Sequence, residues 1–282
     1  MTIDDKITAT TTGTAVVAAA AAATTPTVIT ELVVFDFDET IVDCNSDTFI
    51  NELAPDGGHI PDELYAEFLL NNRWTEYMAK VLGYLHSRGV RELDLRQCLK
   101  RMPFLVGMKD LITKLSATSA AAGPAVAVPV VNENNEQRNY ELIIISDANS
   151  VFIGHYLEFN QLDKAFRNIY TNPATFDDTG CLKLTEYQYQ NWCTTCARNL
   201  CKGHVLEEHI KRRAMEDNQS YSRISYVGDG SNDVCPALRL GPNDRVFARH
   251  GYPLDKRLAN NADLKAKRYQ FNNANDISAQ MF

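Results

Sequence analysis

The apolar run Leu32-Val33-Val34-Phe35 breaks off into Asp36-Phe37-Asp38-Glu39-Thr40, which hangs two carboxylates, one residue apart, on the end of a strand. Val33 to Phe35 are β-branched or aromatic, the composition of a strand buried on both faces of a parallel sheet. Open α/β sheets bind ligands beyond the carboxyl ends of their strands, and that is where Asp36 and Asp38 fall. Buried and unpaired, such acids are costly; a bound cation and a phosphoryl group are the usual way to keep them ionised. A polar turn capping a helix accounts for any one of these residues taken singly.

Three further stretches share the pattern. Leu142-Ile143-Ile144-Ile145 is a second apolar strand, ending in Ser146-Asp147-Ala148-Asn149. Cys201-Lys202-Gly203-His204-Val205-Leu206 opens an amphipathic helix, with a lysine whose compact charge suits phosphate oxygens, although a lone lysine is ordinarily solvated surface. Ile224-Ser225-Tyr226-Val227 runs into Gly228-Asp229-Gly230-Ser231-Asn232-Asp233, where two carboxylates four apart among glycines make a corner for a hard-oxygen metal.

In this order the four stretches resemble the motifs of the haloacid dehalogenase (HAD) superfamily, whose phosphatases use the first aspartate as nucleophile and the second as general acid/base. More narrowly, Asp36 to Asp47, Trp74 to Leu85, Ser146 to Asn149, Cys193 to Leu206, and Tyr226 to Gly230 with Asn232-Asp233 resemble the phosphoethanolamine/phosphocholine phosphatase family. A neighbouring branch of that family is named for pyridoxal phosphate. The likeness runs from about Thr30 to Leu258. It implies an α/β fold, a doubly wound, mostly parallel sheet (a HAD-like Rossmannoid core) with a small helical cap inserted after the first strand. It also implies Asp36 as nucleophile, Asp38 as general acid/base, and Ser146 and Lys202 on the phosphate oxygens, with Asp233 behind them orienting the lysine or a metal water. Magnesium (Mg2+) is the expected cofactor because the ligands are hard oxygens: the carboxylates of Asp36 and Asp229 and, by the resemblance, the main-chain carbonyl of Asp38.

With 282 residues and 45% apolar content the chain can bury a sizeable core. A net charge of -8 disfavours nucleic acid, which requires clustered cations. The N-terminus is acidic and the Ala-rich run from Val16 to Ala23 is short and weakly apolar, so neither a cleavable signal nor a membrane segment is expected. A reducing, cytoplasmic location is the default. Residues 1–28, a Thr/Ala tract, are expected to be a disordered tail. Residues 29–282 form the phosphatase domain, with apolar spacings of three and four marking a helical cap over about 44–108. A loop over about 116–140, rich in Ala, Pro, Asn and Glu, is expected to be disordered.

The predicted partner is a small phosphorylated metabolite. By the resemblance, Asp47 and Asp147 face a cationic head group, which suits phosphoethanolamine or phosphocholine. Equally, Asp47 caps a helix and Asp147 bonds its own turn. Trp74 and Tyr77 offer a cation-π face for such a head group, a stacking surface for the flat ring of pyridoxal 5′-phosphate, or ordinary core. A different class of function is signalled by Cys193, Cys196, Cys201 and His204, which can enclose zinc tetrahedrally and would suit a non-catalytic binding or scaffold protein. Against zinc stand the compressed spacing and the habit of free cysteines to act as small buried hydrophobes. A phosphatase of phosphoproteins is disfavoured because a helical cap excludes macromolecules.

Overall fold

The computed structural model describes residues 27–118 and 136–282. Among these residues eight strands are formed: β1 (Thr27–Phe35), β2 (Glu136–Asn149), β3 (Asn168–Asn172), β4 (Ala174–Phe176), β5 (Leu182–Leu184), β6 (Arg223–Gly228), β7 (Arg245–Arg249) and β8 (Lys267–Phe271). Six of them make one sheet in the order β3-β2-β1-β6-β7-β8, every neighbouring pair parallel. From β1 the chain winds outward to β3, then returns to the other side of β1 with β6. The strand order therefore reverses between β1 and β6, the place where doubly wound sheets open a crevice.

Both faces of β1 are buried, as its composition requires. Val33 and Phe35 pack into one core with Ile112, Phe152 and Ile277, while Leu32 and Val34 pack into another with Val205, Leu206 and Leu254. Helices Met108–Ala117, Ser150–Phe159 and Ala274–Met281 cover the first face, and helices Lys202–Asp217 and Pro253–Leu258 the second.

Between β1 and the helix at Met108 lie short helices at Ser46–Phe49 and Pro55–Gly58 and longer ones at Asp62–Asn71, Trp74–Ser87 and Glu92–Leu99. Helix Trp74–Ser87 buries Tyr77, Met78, Val81, Leu82 and Leu85, the stripe its spacing predicts. An antiparallel hairpin, β4–β5, packs against this helix, bringing Leu182 beside Leu82 and Leu85. No sequence signal marked it, since three-residue strands are too short to show alternation.

Two expected boundaries move. β1 begins at Thr27, inside the expected tail, and β2 begins at Glu136, inside the expected loop, whose other end is helical to Ala117. The register Thr27↔Glu136 to Phe35↔Ile144 extends the ladder past the apolar residues. The start of β2, Glu136-Gln137-Arg138-Asn139, is polar and carried no hydrophobic signal, and Val28 and Ile29 of β1 are set among threonines. The rest of the tail (1–26) and of the loop (119–135) lies outside the described residues. No helix among the described residues is long and apolar enough to cross a membrane.

Candidate active site

The crevice at the strand reversal collects the acids. The Asp36 amide donates to the carbonyl of Val227 at 2.9 Å, extending the β1–β6 ladder one residue beyond Phe35. Asp36 then stands beside Asp229, the first residue after β6. The carboxylates of Asp36, Asp229 and Asp233 offer oxygens within 4.8 Å of one another. Lys202 Nζ, from the start of its helix, lies 2.6 Å from Asp36 Oδ2 and 2.8 Å from Asp233 Oδ1. The lysine is fully buried, so the exposed alternative fails for it. Burial favours its neutral form, but Asp233 and Asp36 outweigh that and hold it above the ordinary lysine value.

Asp233 is the most completely bonded acid of the group. Its Oδ1 accepts from Lys202 and from the Tyr226 hydroxyl at 2.6 Å, and its Oδ2 from the amides of Asp229 (3.0 Å) and Gly230 (2.9 Å). The close approach requires glycine at 228, where a Cβ would lie 2.5 Å from Asp233 Oδ2. Asp36 and Asp229 are less well provided. Asp36 is pushed well up, by burial first and against the pull of Lys202, with Asp233 and Asp147 adding repulsion. Asp229 is raised to about 8 by burial, then by Asp36 and Asp233; its Oδ1 accepts from the Thr40 hydroxyl at 3.3 Å. These two carboxylates are short of positive charge, and their oxygens suit a small hard dication.

Asp38 turns toward the helical segment, where its Oδ1 accepts the Ser46 amide at 2.8 Å. Burial and then Asp47 raise it well above the ordinary carboxylate value. Ser146, at the end of β2, is fully buried. Its Oγ accepts the Ala148 amide at 3.2 Å, which leaves its own proton to donate. Glu39, between the two motif residues Asp38 and Thr40, is left-handed at φ 53°. Arg249 at the end of β7 holds that turn, donating to the Glu39 carbonyl at 2.7 Å and carboxylate at 3.0 Å and pairing with Asp43, while Tyr252 donates to Glu39 Oε2.

Asp47 is buried; one oxygen accepts from Trp74 Nε1 at 2.7 Å, and the other, Oδ1, has no partner among the described residues. Burial raises it to about 7. It neither caps nor pairs: Asn45 is the cap of helix Ser46–Phe49. Asp147 is exposed and accepts from Asn232 Nδ2 at 3.1 Å, a bond across to the motif loop. Trp74 and Asp147 share a cavity of about 380 Å³ with Phe68, Arg73, Glu186 and Asn199. Trp74 packs at 5.2 Å from Tyr77 and 5.3 Å from Phe68, so Tyr77 is core while Trp74 reaches the cavity. Neither acid has an ion-pair partner among the described residues.

The proposed fourth member of the cysteine cluster is wrong. Cys193, Cys196 and Cys201 converge with Cys235, not His204; the His204 ring packs at 5.3 Å from Trp192. Tyr226, Arg249 and Cys235 also serve this region and were missed, Arg249 and Cys235 because each acts through a contact distant in sequence and Tyr226 because it reads as one more strand residue.

A doubly wound sheet with buried acids and a lysine at its strand reversal defines a phosphatase of the haloacid dehalogenase type. The chain belongs to the family described as Putative Phosphatase, which matches residues 31–282, and is a phosphoric monoester hydrolase. Pyridoxal phosphate phosphatase PHOSPHO2 of Mus musculus is 40% identical over 228 residues, 81% of this chain and 86% of the mouse protein. Phosphoethanolamine/phosphocholine phosphatase of Homo sapiens is 36% identical over 225 residues, 80% of this chain and 76% of the human protein. A phospho-aspartyl intermediate analogue of phosphoserine phosphatase, at 16% identity, covers 90% of this chain and all of that one with a TM-score of 0.55, a likeness of fold.

Proposed function

We propose that the chain is a magnesium-dependent phosphomonoesterase of small cytosolic phosphoamines, phosphoethanolamine or phosphocholine, working through an aspartyl phosphate. The observation that carries the substrate class is the orphaned, buried Asp47 Oδ1. An acid wall without its own cation, made of Asp47 and Asp147, is complemented by a substrate that brings an ammonium. The seven free thiols suit a reducing compartment.

Asp36 attacks phosphorus in line, forming the new O–P bond as the ester O–P bond breaks. Asp38, whose protonated form burial and Asp47 favour, gives its proton to the leaving oxygen; it then takes one from the water that attacks the aspartyl phosphate, releasing phosphate and restoring Asp36. Lys202 and Ser146 hold the equatorial oxygens, and Asp233 keeps Lys202 charged and aimed. The carboxylates of Asp36 and Asp229 with the Asp38 carbonyl would hold magnesium, which supplies positive charge against the phosphate oxygens when bound. The helical segment 44–108, with the β4–β5 hairpin, serves as the cap over the crevice. Asn199 Nδ2 bridges the two parts, donating to Thr75 Oγ1 at 3.0 Å and to Asn172 Oδ1 at 2.6 Å.

Pyridoxal 5′-phosphate is the second reading, supported by the aromatic face of Trp74 in the cavity and by the mouse relative. A turnover panel of phosphoethanolamine, phosphocholine, pyridoxal 5′-phosphate and a phosphopeptide, with and without chelator, decides. Highest kcat/KM on the phosphoamines, abolished by chelation and restored by magnesium, is expected. Preference for pyridoxal 5′-phosphate would transfer the assignment to it, and undiminished turnover in chelator would remove the metal.

A further inference from the structure

Four of the seven cysteines lie on one spot behind the catalytic lysine. Cys193 and Cys196 come from the loop after β5, Cys201 immediately precedes Lys202, and Cys235 follows Asp233 by two residues. Their sulfurs all fall within 4.8 Å of one another. Cys235 Sγ is 3.8 Å from Cys193 Sγ and 3.7 Å from Cys201 Sγ. A zinc ion bound at about 2.3 Å by four thiolates separates each pair of sulfurs by about 3.8 Å, the edge of the tetrahedron. Pairwise disulfides do not explain one sulfur set equally against several others.

The surroundings are built for such a centre. Gln190, buried to 1% exposure, spends its whole side chain on the cysteine loop: the two N–H groups of Nε2 are shared among the carbonyls of Cys193 (3.3 Å), Cys196 (3.3 Å) and Ala197 (2.5 Å), and Oε1 accepts the Cys193 amide at 2.9 Å. The Thr195 hydroxyl oxygen lies 3.2 Å from Cys193 Sγ, a polar neighbour of the kind that steadies a thiolate. Arg239 brings a guanidinium nitrogen to 3.9 Å from Cys201 Sγ, a counter-charge for a dianionic tetrathiolate centre. Position 203 admits only glycine, since a Cβ there would lie 2.7 Å from Cys235 Sγ.

We propose that Cys193, Cys196, Cys201 and Cys235 bind one zinc ion, which ties the loop after β5 and the segments carrying Lys202 and Asp233 into one unit. Four protein ligands close the coordination shell, so the zinc is structural and takes no substrate. Its place explains how two residues on separate elements, Lys202 and Asp233, keep a 2.8 Å contact in the buried site. The proposal is independent of the substrate assignment.

Zinc content of the full chain, purified in excess magnesium over a chelating resin, tests it first. About one zinc per chain is expected, falling below about a tenth in Cys193→Ser and Cys235→Ser and unchanged in Cys181→Ser, whose thiol lies outside the cluster. Because the serine variants can fail through misfolding, the wild-type chain is also grown with cobalt(II): the intense near-ultraviolet sulfur-to-cobalt absorption of a tetrathiolate site is expected. A chain without zinc whose seven thiols all react freely, one with these four in disulfides, or one whose cobalt spectrum shows oxygen ligation alone overturns the proposal.

Discussion

Asp36 and Glu141 are buried carboxylates on neighbouring strands of one sheet, and the protein treats them in opposite ways. Glu141, in β2, accepts from Tyr221 at 2.7 Å, from His209 Nε2 at 3.1 Å and from Arg213 through Nε (3.0 Å) and Nη2 (2.6 Å). Burial alone would raise it, but the bonds from His209, Arg213 and Tyr221 win and bring it down to about 2. Asp36 has one cation and several acids around it, and burial wins. A fully partnered buried acid is a device for stability, because breaking the set strands charges in the interior. An acid left short of charge is poised to receive it from a ligand. Chemistry and stability are thus divided between the carboxyl end of β1 and the middle of β2, and the division can be attacked from either side.

The largest effect is expected at the reactive end. On the proposed mechanism Asp36→Asn removes the nucleophile while relieving repulsion, so turnover of para-nitrophenyl phosphate should fall by at least about 10³-fold and the melting temperature stay level or rise. Residual activity within tenfold of wild type would mean that Asp36 is not phosphorylated. Glu141→Gln reverses the signature. The folded value of about 2 lies below the ordinary 4.5, so Glu141 stabilises the fold fully above about pH 4.5, and that contribution is lost as pH falls toward 2. The variant should lose about 3 kcal/mol at pH 7, read by urea unfolding, show a flatter dependence of stability on acid pH, and keep kcat within about twofold. A loss of activity as large as the loss of stability would erase the distinction between the two places.

The same contrast explains what the sequence disclosed. β1 and β2 were legible because burial on both faces demands unbroken apolar runs, and Asp36 and Ser146 stand where those runs stop; β6, broken by Ser225, was legible through the glycine-flanked acidic loop that follows it at Asp229. Lys202 was placed by its motif, and its burial gives that placement a physical basis. Arg249, whose work is a long-range contact, left no local trace, since it reaches Glu39 across the sheet end; Tyr226 bonds Asp233 only seven residues on, but an aromatic in a strand reads as core. Cys235 is far from Cys201 in the chain, so the adjacent His204 took its place in a spacing argument. Glu141 was invisible for the converse reason, since a lone acid in a strand announces neither partners nor burial.

Asp47 sharpens the comparison most finely, because it belongs to the reactive end without performing chemistry. Its folded value of about 7 lies above the ordinary 3.8, so the fold prefers it protonated, and its effect on stability worsens as pH climbs from about 4 to about 7 and then levels off. Asn carries no charge at any pH. Asp47→Asn should therefore match wild type below about pH 4 and exceed it at pH 8 by at least about 1 kcal/mol, or about 2–4 °C in a chain of this size. The same variant should raise KM for phosphoethanolamine by about tenfold, the loss of one desolvated charge-assisted contact, and leave para-nitrophenyl phosphate within about twofold. A variant stabilised at pH 8 that handles both substrates alike would show an acid held under strain for something other than an ammonium, and pyridoxal 5′-phosphate would then be the better substrate to pursue.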